Sequence, residues 1–141
     1  MPKINYDKFE KSLKRLEERY RYYQENKNSI STDINFLESV EESCIQRFEI
    51  CFEMLHVHLK KYLESEGMVD LPTAPKKLFR IAAQNKTIHE VEDWIGFLEK
   101  RNNSSHDYSG KKAKDSLAVI PEFIEDAKAL LNLMIDSDDS K

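Results

Sequence analysis

Two cysteines, three glycines, four prolines and no long apolar run are scarce materials, and each scarcity closes off a class of protein. So few glycines and prolines in 141 residues leave little material for the many tight turns of an all-β fold. No stretch approaches the roughly 20 apolar residues that span a bilayer, and no signal-peptide pattern opens the chain, so a cytoplasmic location and no membrane partner are expected. The net charge of −4 argues against a surface coated for nucleic acid, and no DNA partner is expected. Cys44 and Cys51 are seven residues apart in one predicted helix, which separates their Cα atoms by roughly 10 Å, beyond the limit of about 7 Å for a disulfide. They recur on an apolar stripe and read as reduced core residues. They also lack cysteine or histidine partners at zinc-ligand spacing, so neither metal nor cofactor is expected.

What is present is helical periodicity. Phe9, Leu13, Leu16, Tyr20 and Tyr23 mark a first helix over about 5–26. Leu37, Cys44, Phe48, Cys51, Leu55, Leu59 and Tyr62 mark a second over about 33–65, about 48 Å long at 1.5 Å per residue. Gly67 suits its C-terminal cap, and Pro75 opens a short helix through about Gln84. Thr87 and Glu90 have capping-box spacing, so a further helix is expected near Thr87, carrying Val91, Trp94, Ile95 and Leu98 inward. The last helix, about 111–135, repeats Ala113, Leu117, Ile120, Ile124, Ala127, Leu131 and Met134, and Pro121 is expected to kink it. The fold class is all-α: an up-and-down antiparallel four-helix bundle with an additional short helix. Residues 1–136 form one domain, and 137–141 read as an acidic disordered tail.

One segment has no packing pattern: Arg101, Asn102, Asn103, Ser104, Ser105, His106, Asp107, Tyr108. Arginine binds phosphate through a planar cationic fork, and histidine moves protons near neutral pH. From Gly96 to Lys114 five cations (Lys100, Arg101, Lys111, Lys112, Lys114) face two anions (Glu99, Asp107), a local balance of +3. On a continuous helix residues five apart lie about 140° apart, so Arg101 and His106 converge only where the helix ends and the chain turns. Taken alone, such a pair is an ordinary helix-terminal arginine and a loop histidine. His56 and His58, two apart on a helix, face different directions and read as surface or interface residues, and His89 as a solvated residue at a helix start. Arg47 beside Phe48 reads as an arginine covering apolar surface, and the cluster Arg19–Tyr23 mainly as packing with Tyr22 free for a partner.

Arginine, four residues and histidine, with a polar residue after the arginine, resembles the signature of the HEPN superfamily. Tyr108 extends it to the form seen in HepT-like partners of minimal nucleotidyltransferases. Arg47-Phe48-Glu49, Lys60-Lys61-Tyr62-Leu63 ahead of Gly67, and Trp94 upstream of Arg101-Asn102 are similar to the small helical proteins described as nucleotidyltransferase substrate-binding proteins. The resemblance covers about Phe9 to Met134. It implies a homodimer and a metal-independent endoribonuclease, the toxin of a toxin–antitoxin pair. It implies RNA as substrate, a minimal nucleotidyltransferase antitoxin as partner, and a composite catalytic site of Arg101, Asn102 and His106 from both subunits. It further implies Tyr108 as an acceptor of AMP and places Arg47 toward the cleft. Two other functions fit the same residues: a non-catalytic substrate-binding subunit of a split nucleotidyltransferase, and a plain helical adaptor.

Overall fold

The computed structural model describes residues 3–30, 33–104 and 110–140, and among them every regular element is an α-helix, joined by turns and short irregular connections. The helices are α1 (Asp7–Ile30), α2 (Ile34–Ser65), α3 (Pro75–Gln84), α4 (Val91–Ser104) and α5 (Gly110–Asp139). Their boundaries follow from local chemistry. Asp33, in an extended conformation, accepts the Phe36 N–H on its carboxylate and starts α2. At the other end Gly67 takes a positive φ of 93°, the Gly67 N–H donates to the Glu64 carbonyl, and the Met68 N–H reaches back to Leu63. This pair of bonds satisfies carbonyls that the end of a helix leaves open. α3 has Pro75 in its first turn, as expected, and closes with the same two bonds through Lys86 (φ 63°) in the role glycine plays in α2.

α4 begins later than expected. Thr87 is buried, and its hydroxyl accepts the Asn85 side-chain amide instead of capping a helix. Glu90 adopts φ 51°, which breaks helical geometry, so α4 starts at Val91. α1 and α5 both outrun the expected ends. α5 continues to Asp139, well into the stretch expected to be a disordered tail. Its last turn is tied down: Asp138 accepts the Ile4 N–H at 3.0 Å, Lys3 pairs with Asp139, and Tyr62 donates to the Ser137 hydroxyl. Pro121 lies on the exposed side of α5, and the helix continues through it.

α2 is the spine, packing against α1, α3, α4 and α5. Because it is surrounded, it buries a broad arc instead of one narrow stripe, including His56 and His58, the two histidines expected at a surface or interface. His58 lies under the rings of Tyr6 and Phe9 and bonds the Met54 carbonyl oxygen through Nδ1 at 2.6 Å. Cys44 and Cys51 are buried and free, and no pairing joins them. The centre of the core is aromatic. Phe123 of α5 meets Phe48 and Phe97 edge-on at 4.9 and 5.4 Å between ring centroids, and Trp94 stacks on Phe79 at 5.6 Å. Such pairs contribute about 0.5–1.5 kcal/mol each beyond simple burial. This core clamps α4 between α3 and α5 and so fixes the position of the last turn of α4. Among the described residues no helix is long and apolar enough to cross a membrane.

Candidate functional site

Arg101 leaves α4 on the face that carries Phe97 and Leu98, which are buried four and three residues before it. Its stem therefore runs over core, and the guanidinium reaches across to α2. There Nη2 lies 3.8 Å from the Glu53 carboxylate, and Nη1 donates to the Asn102 side-chain oxygen at 3.3 Å. Nε is buried and has no acceptor among the described residues. The arginine side chain is one-third exposed, so the fork is oriented by its own helix and by α2 while one side stays open to solvent.

The end of α4 is tacked in place by hydroxyls. Ser116 of α5 donates to the Lys100 carbonyl at 3.2 Å, and the fully buried Ser104 donates to the Arg101 carbonyl at 3.3 Å. The Arg101 carbonyl is one of the last four that the end of α4 leaves without an internal partner, and the Lys100 bond ties the last turn to α5. The arginine thus stands on a terminus secured to α5, as a preorganised charge requires. At the start of α5, Lys111, Lys112 and Lys114 are exposed, and no acidic residue occupies that first turn.

His56 of α2 is close enough to feel the charges of Arg101 and Glu53; it is only 8% exposed, with neither ring nitrogen hydrogen-bonded among the described residues. Burial pulls its pKa below the usual histidine range, and the cations Lys60 and Arg101 push the same way. The Glu53 carboxylate and the Thr73 backbone oppose the shift, although Thr73 lies outside hydrogen-bond geometry. The downward shift disfavours a second positive charge near Arg101.

Of the residues singled out in sequence, Arg101 and Asn102 come together, while His106 and Tyr108 lie outside the described residues. Arg47 is half-buried and opens on a different groove, beside Arg15, Glu18, Arg19 and Tyr22 on the α1 flank of α2. It lies six positions before Glu53, about 120° around the helix and about 9 Å along it. Sequence reasoning missed Glu53 and placed His56 at a surface or interface; neither falls on the apolar stripe read for α2, so no sequence signal marked them. It also missed a carboxylate cluster, Asp93, Glu122 and Asp126, whose oxygens lie within 4.8 Å of one another. Burial, then Glu122, Asp93 and Glu125, raise the Asp126 pKa. Asp93 and Glu122 are exposed, and exposed acidic groups gather in this way without holding an ion.

With this geometry in hand, similarity to known proteins is informative. A Haemophilus influenzae protein named "Probable ribonuclease HepT" is 27% identical over 90 residues, and the match covers 62% of each chain. The chain thus spans less than two-thirds of that relative's length. A solved Haemophilus influenzae structure, described as revealing the fold of a substrate binding domain of a nucleotidyltransferase, superposes with a TM-score of 0.61. The superposition covers 86% of this chain and 98% of the other at 22% identity, and establishes the shared fold. Residues 4–136 match the family described as nucleotidyltransferase substrate binding protein like. Since that match takes in nearly the whole bundle, the chain belongs to the nucleotidyltransferase substrate binding protein like family.

Proposed function

We propose that this chain is a metal-independent endoribonuclease of HEPN type, the toxin of a pair whose antitoxin is a minimal nucleotidyltransferase. The observation that carries the reading is the placement of Arg101. It is a guanidinium held by Glu53 and Asn102 at the secured end of α4, open on one side, five residues before His106. The name of the ribonuclease relative supports the same activity.

RNA supplies its own nucleophile. The 2′-hydroxyl oxygen attacks the adjacent phosphorus, the bond to the 5′-oxygen breaks, and a 2′,3′-cyclic phosphate remains. The reaction requires removal of the 2′-hydroxyl proton, delivery of a proton to the departing 5′-oxygen, and compensation of charge on the five-coordinate phosphorus. In this reading His106 supplies acid–base catalysis, with the copies from two subunits dividing the roles across a homodimer. Arg101 compensates the phosphorane charge, and Asn102 orients the phosphate or the histidine. Tyr108 is the acceptor of AMP: its phenol oxygen attacks the α-phosphorus of ATP bound to the partner enzyme, and pyrophosphate leaves. The adenylate places bulk and negative charge beside His106, which repels RNA phosphate and closes the cleft.

A second reading, a non-catalytic substrate-binding subunit of a split nucleotidyltransferase, draws support from the description of the structural neighbour. Incubating purified, unmodified protein with bulk tRNA and mRNA in EDTA, beside His106→Ala, separates the two. The ribonuclease reading expects cleavage by the wild type alone, leaving cyclic phosphate ends. Absence of cleavage by a wild type whose intact mass shows no adenylate refutes it and leaves the binding subunit.

A further inference from the structure

The groove between α1 and α2 that holds Arg47 plays no part in the chemistry above. It encloses about 350 Å³ and is lined by Arg15, Glu18, Arg19, Tyr22 and Arg47. Three guanidinium-bearing side chains thus share one concavity with one carboxylate. No ion pair joins Arg15, Arg19 or Arg47 to a carboxylate among the described residues, whereas Arg21 on the same helix does pair with Glu17. Arg15 and Arg19 are one helical turn apart, a like-charge spacing that weakens a helix unless something neutralises it. In a chain of net charge −4, a gathering of this kind marks a site for an anion.

The aromatic residue in the groove narrows the anion further. Tyr20 and Tyr23 are half-buried, with ring centroids 5.8 Å apart, whereas Tyr22 between them is 42% exposed and its ring has no aromatic neighbour among the described residues. An exposed tyrosine beside planar guanidinium groups offers a base a face to stack on while the forks take the phosphates. Glu18 can accept from a base amino group, a donor that inorganic phosphate lacks. The groove lies about 120° around α2 and about 9 Å along it from the residue that holds Arg101. Ile50, three residues from both Arg47 and Glu53, is 47% exposed and forms an apolar step between the two places.

We propose that the Arg15–Arg19–Tyr22–Arg47 groove is a subsite for single-stranded RNA, binding backbone phosphate through its arginines and stacking a base on Tyr22. The proposal rests on the ribonuclease reading of the Arg101 site and extends it: the strand that presents its scissile phosphate to Arg101 is held a short distance away, on the α1 flank of α2.

The test measures binding without cleavage, using full-length protein and a single-stranded oligonucleotide of about a dozen nucleotides with 2′-O-methyl groups throughout. Such RNA lacks the attacking hydroxyl, so binding is read independently of catalysis. A failure of the ribonuclease reading shows separately, as intact unmodified RNA. Fluorescence anisotropy over a range of salt concentrations gives affinity and the salt slope. Replacing Arg15, Arg19 and Arg47 with Gln is expected to flatten the slope of log K against log salt by about 2, at roughly 0.7 per phosphate contact. Tyr22→Ala is expected to weaken binding by about 5- to 150-fold, the effect of losing one base–aromatic stack, while Tyr22→Phe stays within about threefold of wild type. The charge-matched control replaces Lys76, Lys77 and Arg80 with Gln on α3, a helix that does not pack against α1. Absent binding by the wild type, an unchanged slope in the triple variant, or an equal loss in the α3 control each overturns the proposal. So does unaltered RNA affinity with weakened binding of the nucleotidyltransferase, which would make the groove a protein docking surface.

Discussion

Replacing His56 with leucine is expected to make the protein more stable, against the usual outcome of changing a core residue. His56 is 8% exposed, and neither ring nitrogen finds a hydrogen-bond partner among the described residues. A buried polar group left in that state costs about 1–3 kcal/mol, and an apolar side chain of similar size removes the cost. After allowance for imperfect repacking, a gain of about 1–2 kcal/mol is expected, which in a domain of this size raises Tm by roughly 3–8 °C. The effect has a pH signature. Burial holds the folded ring's pKa below its unfolded value of about 6.5, with Lys60 and Arg101 adding to the shift and Glu53 opposing it. Between the two values the unfolded chain binds the extra proton. The wild type therefore has the full contribution of this group above about pH 6.5 and loses it as pH falls toward the folded value, by up to about 1.4 kcal/mol per pH unit. Leucine has nothing to protonate, so its advantage widens on acidification. Thermal or urea unfolding of both proteins near pH 7.5 and near pH 5.5 reads this directly. A leucine variant less stable than wild type near neutrality, with the gap unchanged at acid pH, refutes the reasoning.

Two further outcomes follow from the fold. The thiols of Cys44 and Cys51 are both pushed up to about 12 by burial; neither is expected to react with Ellman's reagent in the native protein near neutral pH, and both in denaturant. Rapid native-state modification would contradict their placement. Ending the chain after Asp136 removes the Asp138 carboxylate from the Ile4 N–H, the Ser137 hydroxyl from Tyr62 and Asp139 from Lys3. A loss of about 1–2 kcal/mol, or roughly 3–8 °C in Tm, is expected, whereas an unchanged melt would return these residues to the disordered tail read from their composition.

The stretch read from composition as a disordered tail, into which α5 runs as far as Asp139, shows what sequence alone conveys. Repeated aspartate and serine suggest solvation because composition does not register that a buried carboxylate is stable when it accepts a backbone N–H. The α2 and α3 boundaries were legible, since an aspartate cap, a C-terminal glycine and a first-turn proline each act through their immediate neighbours. The start of α4 was not. Thr87 and Glu90 carry capping-box spacing, but the Asn85 side chain takes the threonine hydroxyl and Glu90 turns to positive φ. The site shows the same division. Arg101 and Asn102 stood out because nothing in their pattern served packing. Glu53 and His56 were invisible because their roles come from α4 crossing α2, a contact between residues almost fifty positions apart in sequence. The buried arc of α2 also exceeded its periodic stripe, because four helices surround it where an amphipathic reading supplies one covered face.

Trp94 is the single indole in the chain, and it is 4% exposed, stacked on Phe79 and edge-on to Phe97. Arg101 follows it by seven residues, two helical turns along the same face of α4. The molecule therefore carries a built-in optical reporter on the helix that ends in the arginine. Tryptophan emission comes from one defined dry environment, so a shift toward longer wavelength reports water reaching the contact between α3 and α4. An RNA strand or partner enzyme that levers the end of α4 away from α2 would register in that spectrum without any attached dye, and titrations of wild-type protein could follow it in real time.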